Sequence, residues 1–188
     1  MNHCGTRQLE TDRLILRKFI KEDAAAMYKN WASDDEVTKY LTWPSHPNQK
    51  VSQSVIEDWI NSYSSQSYYQ WAIVPKDNKD APIGSISVVH MVENASIMHV
   101  GYCIGKAWWH KGITSEALKA VMDFLFDDVG AKRIEARHDP RNPNSGKVMK
   151  KCGMRYEGTL YHSDRNNQGI CDACNYALEK SDRRKKDL

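Results

Sequence analysis

The stretch from Ile97 to His138 constrains this chain more than any other. Ile97 to Ile104 reads as a strand and runs into the turn Gly105 to Thr114. The strongest helical pattern in the sequence follows. Ala117, Leu118, Val121, Met122, Leu125, Phe126 and Val129 recur at helical spacing, and Gly130 ends the run. Arg133 to His138 is then a short strand. Strand, helix and strand in that order imply a parallel crossover, so the sheet must contain a parallel pair.

The flanking elements make that sheet mixed. Leu9 to Phe19 sets Leu14, Leu16 and Lys18 against Arg13, Ile15 and Arg17, the alternation of a strand. Asp23 is placed as the N-cap of a helix through Met27 and Trp31. Val51, Val55, Trp59 and Tyr63 give a second helix one apolar face. The prolines of Thr42 to Pro47 mark an irregular loop between the two. Tyr69 to Val74 and Ile83 to Val92 read as an antiparallel pair around the polar turn Lys76 to Pro82, and Asn94 is the next turn. Asn144 to Cys152 is a helix stopped by Gly153, and strands follow at Met154 to Tyr161 and Ile170 to Leu178. The class is α/β (α+β), with a mixed central sheet of about seven strands and about four helices.

A chain of 188 residues is long enough for one domain with a full core. We expect a single domain over residues 1–188, ordered from about 8 to 180, with a solvated basic tail around Arg183, Arg184, Lys185 and Lys186. No window approaches the roughly 18 apolar residues of a membrane span. Met1 to Glu10 lacks the apolar core of a signal peptide, so a cytoplasmic protein without a membrane partner is expected. A net charge of +3 is too small to argue for a nucleic-acid partner. Five cysteines, an odd number, do not suggest a disulfide framework. Cys171 and Cys174 form a CxxC without a second ligand pair, so they read as strand cysteines and no metal is expected.

The turn before the long helix carries chemistry. The first turn of a helix leaves backbone N–H groups free and carries partial positive charge, and Gly112 lets an anion approach them. Lys111 adds charge, and Thr114 and Ser115 add hydroxyls. The segment therefore reads either as a pyrophosphate cradle or as an ordinary glycine turn. Neither GxxxxGK[ST] nor GxGxxG is present.

Val100-Gly101-Tyr102 followed by Trp109-His110-Lys111-Gly112-Ile113-Thr114-Ser115-Glu116-Ala117 resembles the acetyl-CoA signature of GNAT acetyltransferases. The likeness is to the branch that includes the ribosomal-protein-alanine acetyltransferases RimJ and RimL, where I-G-Y precedes W-G-K-G-Y-x-T-E-A. His110 stands at the usual first glycine and Ile113 at the aromatic. A second motif, N-x-x-S-x-x-V-x-x-K-x-G-F, appears as Asn142, Ser145, Val148, Lys151, Gly153 and Met154. The opening Leu9 to Arg17 and the Ile83-Gly84 strand also match, so the resemblance spans about residues 8 to 180 in order.

The resemblance implies a GNAT fold whose sheet splays in the middle to admit the pantetheine arm of acetyl-CoA. Tyr102, Cys103 and Ile104 would offer backbone groups to that arm. His110, Lys111, Gly112, Ile113, Thr114 and Ser115 would hold the pyrophosphate, and Asn142 and Ser145 would sit by the pantetheine and thioester. Asn142 also reads as a turn residue and Ser145 as a helix cap. The chemistry is attack of an amine on a thioester, which needs a base, a donor for the developing oxyanion and stabilisation of the thiolate. His99 stands where the family often has glutamate and is the candidate base, or else a strand histidine on the sheet's outer face. Glu93, Glu157 and a bridging water are its rivals. Met149 occupies the position of the family's proton-donating tyrosine, which leaves Ser145 as the candidate acid.

The expected activity is acetyl transfer from acetyl-CoA to a primary amine, by direct attack in a ternary complex. The acceptor is a protein N-terminus or a small molecule such as an antibiotic, polyamine or amino acid. No acidic cluster marks a polyamine site. Trp43, Trp59 and Tyr63, with the loop Ser163 to Gly169, are candidates for the acceptor wall, although aromatics at helical spacing also read as core. A non-catalytic acyl-CoA-binding module is the reading from another class. Relatives often dimerise, and a homodimer is an expectation of the same kind.

Overall fold

The computed structural model describes residues 1–77 and 81–183. Its strands are β1 (Leu9–Glu10), β2 (Leu14–Arg17), β3 (Gln70–Pro75), β4 (Gly84–Val92), β5 (Ile97–Ile104), β6 (Arg133–His138), β7 (Arg155–Asn166) and β8 (Gly169–Glu179). Its α-helices are α1 (Asp23–Met27), α2 (Asp35–Thr38), α3 (Gln49–Ser62), α4 (Ile113–Phe124), α5 (Pro143–Lys151) and α6 (Lys180–Arg183). All eight strands form one sheet in the order β1-β2-β3-β4-β5-β6-β8-β7. The neighbours are antiparallel except β5 and β6, the parallel pair that the crossover through α4 required.

Register sorts each strand onto two faces. Trp71 pairs with Ile86 and Ile86 with Tyr102, and this row faces the core built with α4 and α5. The alternate residues Ala72 and Val74 face a second core with Phe19, Met27, Trp31 and Ile56 from the α1 and α3 side. The sheet is thus covered on both faces, with one hydrophobic layer on each.

Sequence and structure part at the short elements. The first strand is a hairpin, because the Thr11 hydroxyl accepts the Leu14 N–H at 2.9 Å and turns the chain between β1 and β2. That makes eight strands rather than about seven. Among the described residues six α-helices replace about four, since α2 and α6 are single turns with too little length to show a period. Asp23 is not an N-cap. It lies inside α1, and its carboxylate takes Arg17 through two hydrogen bonds of 2.7 and 2.9 Å and the Ile20 N–H at 2.9 Å. The helix toward Trp31 continues as a π-turn, Tyr28–Ala32, and α4 ends in another, Leu125–Val129, before Gly130.

The chain ends also differ from the expectation. The segment before residue 8 is fastened: Asn2 N–H donates to Val129 O at 2.8 Å, and Gly5 N–H to Gln66 O at 2.7 Å. Arg183 is tied to Asp127 and Asp123, so the basic tail is not solvated there. Arg184, Lys185 and Lys186 lie outside the described residues, as do positions 78–80 of the polar turn. Cys171 and Cys174 lie in β8, where Cys171 accepts from Asn166 Nδ2 at 3.3 Å and Cys174 contacts the Thr159 hydroxyl at 3.2 Å.

Candidate active site

The sheet opens where its one parallel pair fails. Ile97, Met98 and His99 pair with Arg133, Ile134 and Glu135. Beyond His99, β5 stays on β4 as far as Ile104 while β6 stays on β8 as far as His138. The gap between them joins two hollows.

The first is a cleft of about 430 Å³. Its wall includes Tyr102, Cys103 and Ile104 of β5, then His110, Gly112, Ile113, Thr114 and Ser115 at the start of α4, and Asn142 and Ser145 at the start of α5. Gly112 has φ +74° and precedes α4, where no side chain caps the helix. The first intrahelical bond is Glu116 N–H to Gly112 O at 3.1 Å, so the N–H groups of Ile113, Thr114 and Ser115 precede it. A Cβ on Gly112 would stand 3.4 Å from Lys151 Nζ and 3.7 Å from Arg13 Nη2, so two cations flank the turn. His110, at the resemblance's first glycine, also adopts a left-handed conformation, with φ +60°. Lys111 does not line the cleft; its carbonyl accepts Arg13 Nη1–H at 3.0 Å.

A carboxylate stands beside this anion-seeking turn, and its neutralisation is built in. Glu116 accepts from the Thr11 hydroxyl at 2.6 Å, from Arg13 N–H at 3.0 Å and from Arg13 Nε at 2.7 Å. Burial works against its charge, but these donors hold its carboxyl below the ordinary range. The hairpin turn after β1 thereby braces the first turn of α4.

The second hollow, about 460 Å³, opens on the other side of the gap. Tyr102, Cys103, Asn142 and Ser145 line both. The Tyr102 hydroxyl donates to Ser145 O at 3.1 Å and lies 3.0 Å from Ser145 Oγ. Burial pushes the phenol's pKa up, so it keeps its proton. Cys103 faces away from α5, and burial likewise raises its thiol.

The floor of this second cavity is a polar patch of sheet. Gln70, Ser87 and Gly101 are cross-strand neighbours, as are Ala72, Ser85 and Cys103. A bulge at Val89 shifts the β4 register so that His90 comes opposite His99. His99 Nε2 lies 3.0 Å from Glu135 Oε2. Burial lowers the imidazole's pKa below 6.5, the pull of Glu135 works the other way, and His90 reinforces the lowering.

Of the rival bases, Glu93 is bonded to His3 and Glu157 to Arg133, and neither lines either hollow. Trp43 and Trp59 do line the second cavity. Tyr63 does not: its hydroxyl accepts Phe19 N–H and donates to Gln70 O, both at 2.9 Å. The expected loop Ser163 to Gly169 is the tip of the β7–β8 hairpin. Asp164, Arg165 and Asn166 from it line the cavity. Asn167 clips the tip across the opening, its N–H to Leu41 O at 3.1 Å and its Nδ2 to Thr38 O at 2.8 Å and Trp43 O at 2.7 Å. Asp139 anchors the same tip, accepting from Asn166 Nδ2 at 2.8 Å and from Arg141. Sequence reasoning missed Gln70, Ser85, Ser87 and His90, and the alternation of β3 and β4 carried the signal for the first three.

Two hollows meeting at one gap in a parted sheet give two ligands room to meet end to end. Comparison with known proteins identifies the class of protein. Residues 13–155 match the family described as the acetyltransferase (GNAT) domain. The chain is 30% identical over 173 residues to the N-acetyltransferase p20 of Bacillus licheniformis, covering 92% of this chain and 96% of that protein. It is 28% identical over 159 residues to the ribosomal protein uS5-alanine N-acetyltransferase of Escherichia coli, covering 80% and 79%. Its fold is that of the microcin C7 self-immunity acetyltransferase MccE, solved in complex with acetyl-CoA and AMP, with a TM-score of 0.77 at 21% identity over 90% of this chain and 93% of that one. The chain belongs to the GNAT acetyltransferase family and is an N-acetyltransferase.

Proposed function

We propose that this protein transfers an acetyl group from acetyl-CoA to a primary amine, with acetyl-CoA in the cleft and the amine in the second cavity. One observation carries the reading: the two hollows meet beside the parted strands and share Tyr102, Cys103, Asn142 and Ser145, with Tyr40 and Leu41 also lining both. The cleft fits the co-substrate. The uncapped start of α4, with Gly112 in a left-handed conformation and Lys151 and Arg13 beside it, suits a diphosphate. Acetyl-CoA, when bound, supplies the thioester.

In this reading His99 takes a proton from the acceptor ammonium. Its Nε2–H points at Glu135, which leaves Nδ1 as the proton acceptor. Glu135 fixes the tautomer and stabilises the imidazolium that forms. Ser145 Oγ gives its proton to the sulfur as the C–S bond breaks and takes up the proton that the attacking nitrogen loses as the amide forms, while the Tyr102 hydroxyl, donating to Ser145 O, stands 3.0 Å from Ser145 Oγ. A backbone N–H of the unpaired end of β5 serves the carbonyl oxygen as its charge grows. The acceptor is a protein N-terminus, as acted on by the uS5-alanine relative, or a small-molecule amine.

Two variants test the roles. Ser145→Ala should lower kcat by roughly a hundredfold and leave the acetyl-CoA Kd within about twofold; the reverse pattern would make Ser145 a binding residue only. His99 acts unprotonated, and folding lowers its pKa, so the acidic limb of activity should lie at lower pH than the titration of an ordinary histidine. His99→Ala should lose roughly a hundredfold in kcat together with this acidic limb. Retention of near-normal turnover across pH would remove His99 from the mechanism.

A further inference from the structure

Gln70 lies on the floor of the second cavity, 6% exposed. Its Nε2 is buried without a hydrogen-bond partner among the described residues. Such a group is rare in a folded protein, because its lost hydration goes uncompensated. Around it everything else is satisfied and fixed. The Gln70 N–H donates to Thr6 Oγ1 at 3.0 Å, and its carbonyl accepts from Tyr63 at 2.9 Å. Thr6 is itself held by Tyr68 O at 2.9 Å. The start of β3 is therefore clamped from outside the sheet, and the Gln70 side chain, which lines the second cavity, carries one buried, unused donor. Ser87 lies between Gln70 and Gly101 in the same row, and the Val89 side chain fills the space over Gly101.

We infer that Gln70 is a specificity-determining residue that donates to an oxygen of the acceptor. The inference rests on the placement of the acceptor proposed above. Its geometry also selects the class of acceptor. Gln70 is on β3, whereas the gap lies beyond β5, and two strand spacings span about 10 Å. An amine reacting at the gap reaches Gln70 only through an oxygen several bonds away. The second carbonyl of a peptide with a free N-terminus meets that requirement, and so does a hydroxyl on the second ring of an amino sugar. A simple alkylamine or a polyamine has nothing to offer this donor.

The test compares the wild type with Gln70→Met, which keeps the length of the side chain and removes its amide. The acceptors are trialaninamide, an amino-sugar disaccharide, alaninamide and hexylamine, each with saturating acetyl-CoA. The expected result is that kcat/KM for the preferred long, oxygen-bearing acceptor falls about tenfold or more in the variant. Values for alaninamide and hexylamine should stay within about twofold. Preference for the peptide or for the sugar identifies which oxygen Gln70 reads. Because a buried unpaired donor is removed, the thermal midpoint of Gln70→Met should not fall, whereas a purely structural role would lower it.

A second readout needs no turnover. The Gln70 side-chain amide resonances, assigned by their loss in the variant, should shift when trialaninamide or the disaccharide is titrated into the CoA-bound protein. They should not shift with hexylamine. An unchanged ratio of long acceptor to hexylamine in the variant, or resonances that no oxygen-bearing acceptor moves, overturns the assignment of Gln70. Calorimetry with acetyl-CoA on both proteins separates the two levels. Failure of the wild type to bind it would strike the proposed function, while intact binding with an unchanged acceptor ratio strikes Gln70 alone.

Discussion

Gly112→Trp is expected to weaken acetyl-CoA binding by roughly a hundredfold or more, because three charge-assisted backbone hydrogen bonds become unreachable together. The effect has two parts, and a second variant separates them. The left-handed backbone at φ +74° penalises any side chain there. Gly112→Ala carries that strain alone, since its Cβ meets Lys151 Nζ at no less than 3.4 Å. The tryptophan also fills the approach to the N–H groups of Ile113, Thr114 and Ser115. Calorimetry should therefore rank wild type, alanine and tryptophan in falling affinity, with far-ultraviolet circular dichroism unchanged. Equal affinity in all three would remove the α4 turn from the binding site, and with it the cleft as the cofactor's seat.

The second large effect concerns stability. Asp23→Ala should cost about 3–5 kcal/mol, because it strands a guanidinium whose ion pair among the described residues is with Asp23. Asp23 is 1% exposed and compensates Arg17 through paired bonds, which also keep the Arg17 guanidinium firmly protonated. The same carboxylate closes the turn into α1 by accepting the Ile20 N–H. At this chain length the loss corresponds to a fall in Tm of roughly 10 °C. Urea unfolding would measure it directly. The affinity for acetyl-CoA should be unchanged at temperatures where the variant is folded, since α1 lies away from the turn at Gly112. A loss under about 1 kcal/mol would mean that water replaces the carboxylate at Arg17.

Much of this architecture was legible before any coordinates. Long periodic elements declared themselves: the crossover helix through Leu118 and Val121, the meander from Gln70 to Ile104, and the turn at Gly112 all fall where the pattern puts them. Short elements did not, because α2 and α6 are single turns and carry no period to detect. Asp23 misled for a chemical reason. A carboxylate before an apolar run reads as a cap, but Arg17 six residues earlier claims it, and only packing reveals that preference. At the candidate site, the cleft was readable because one continuous stretch supplies most of its lining. The second cavity was not, because its floor is assembled by cross-strand register. Gln70, Ser87 and Gly101 become neighbours only once three strands are paired. His90 joins His99 through a bulge that no alternation rule anticipates.

The clip made by Asn167 bears on how the protein comes to be active at all. Its bonds to Thr38 and Trp43 join residues 129 and 124 positions apart. Contacts of such separation carry a large loop-closure cost and are worth nothing until both ends are in place. The turn at Gly112 comes from one continuous stretch, and its brace through Glu116 needs only the first hairpin. The enclosure of the second cavity is not local: a ribosome must deliver the last hairpin before Thr38, Leu41 and Trp43 have its tip to close against. A nascent chain that has not yet delivered β7 and β8 lacks Asp164, Arg165, Asn166 and Cys171 from the wall of that cavity and has no closed chamber there.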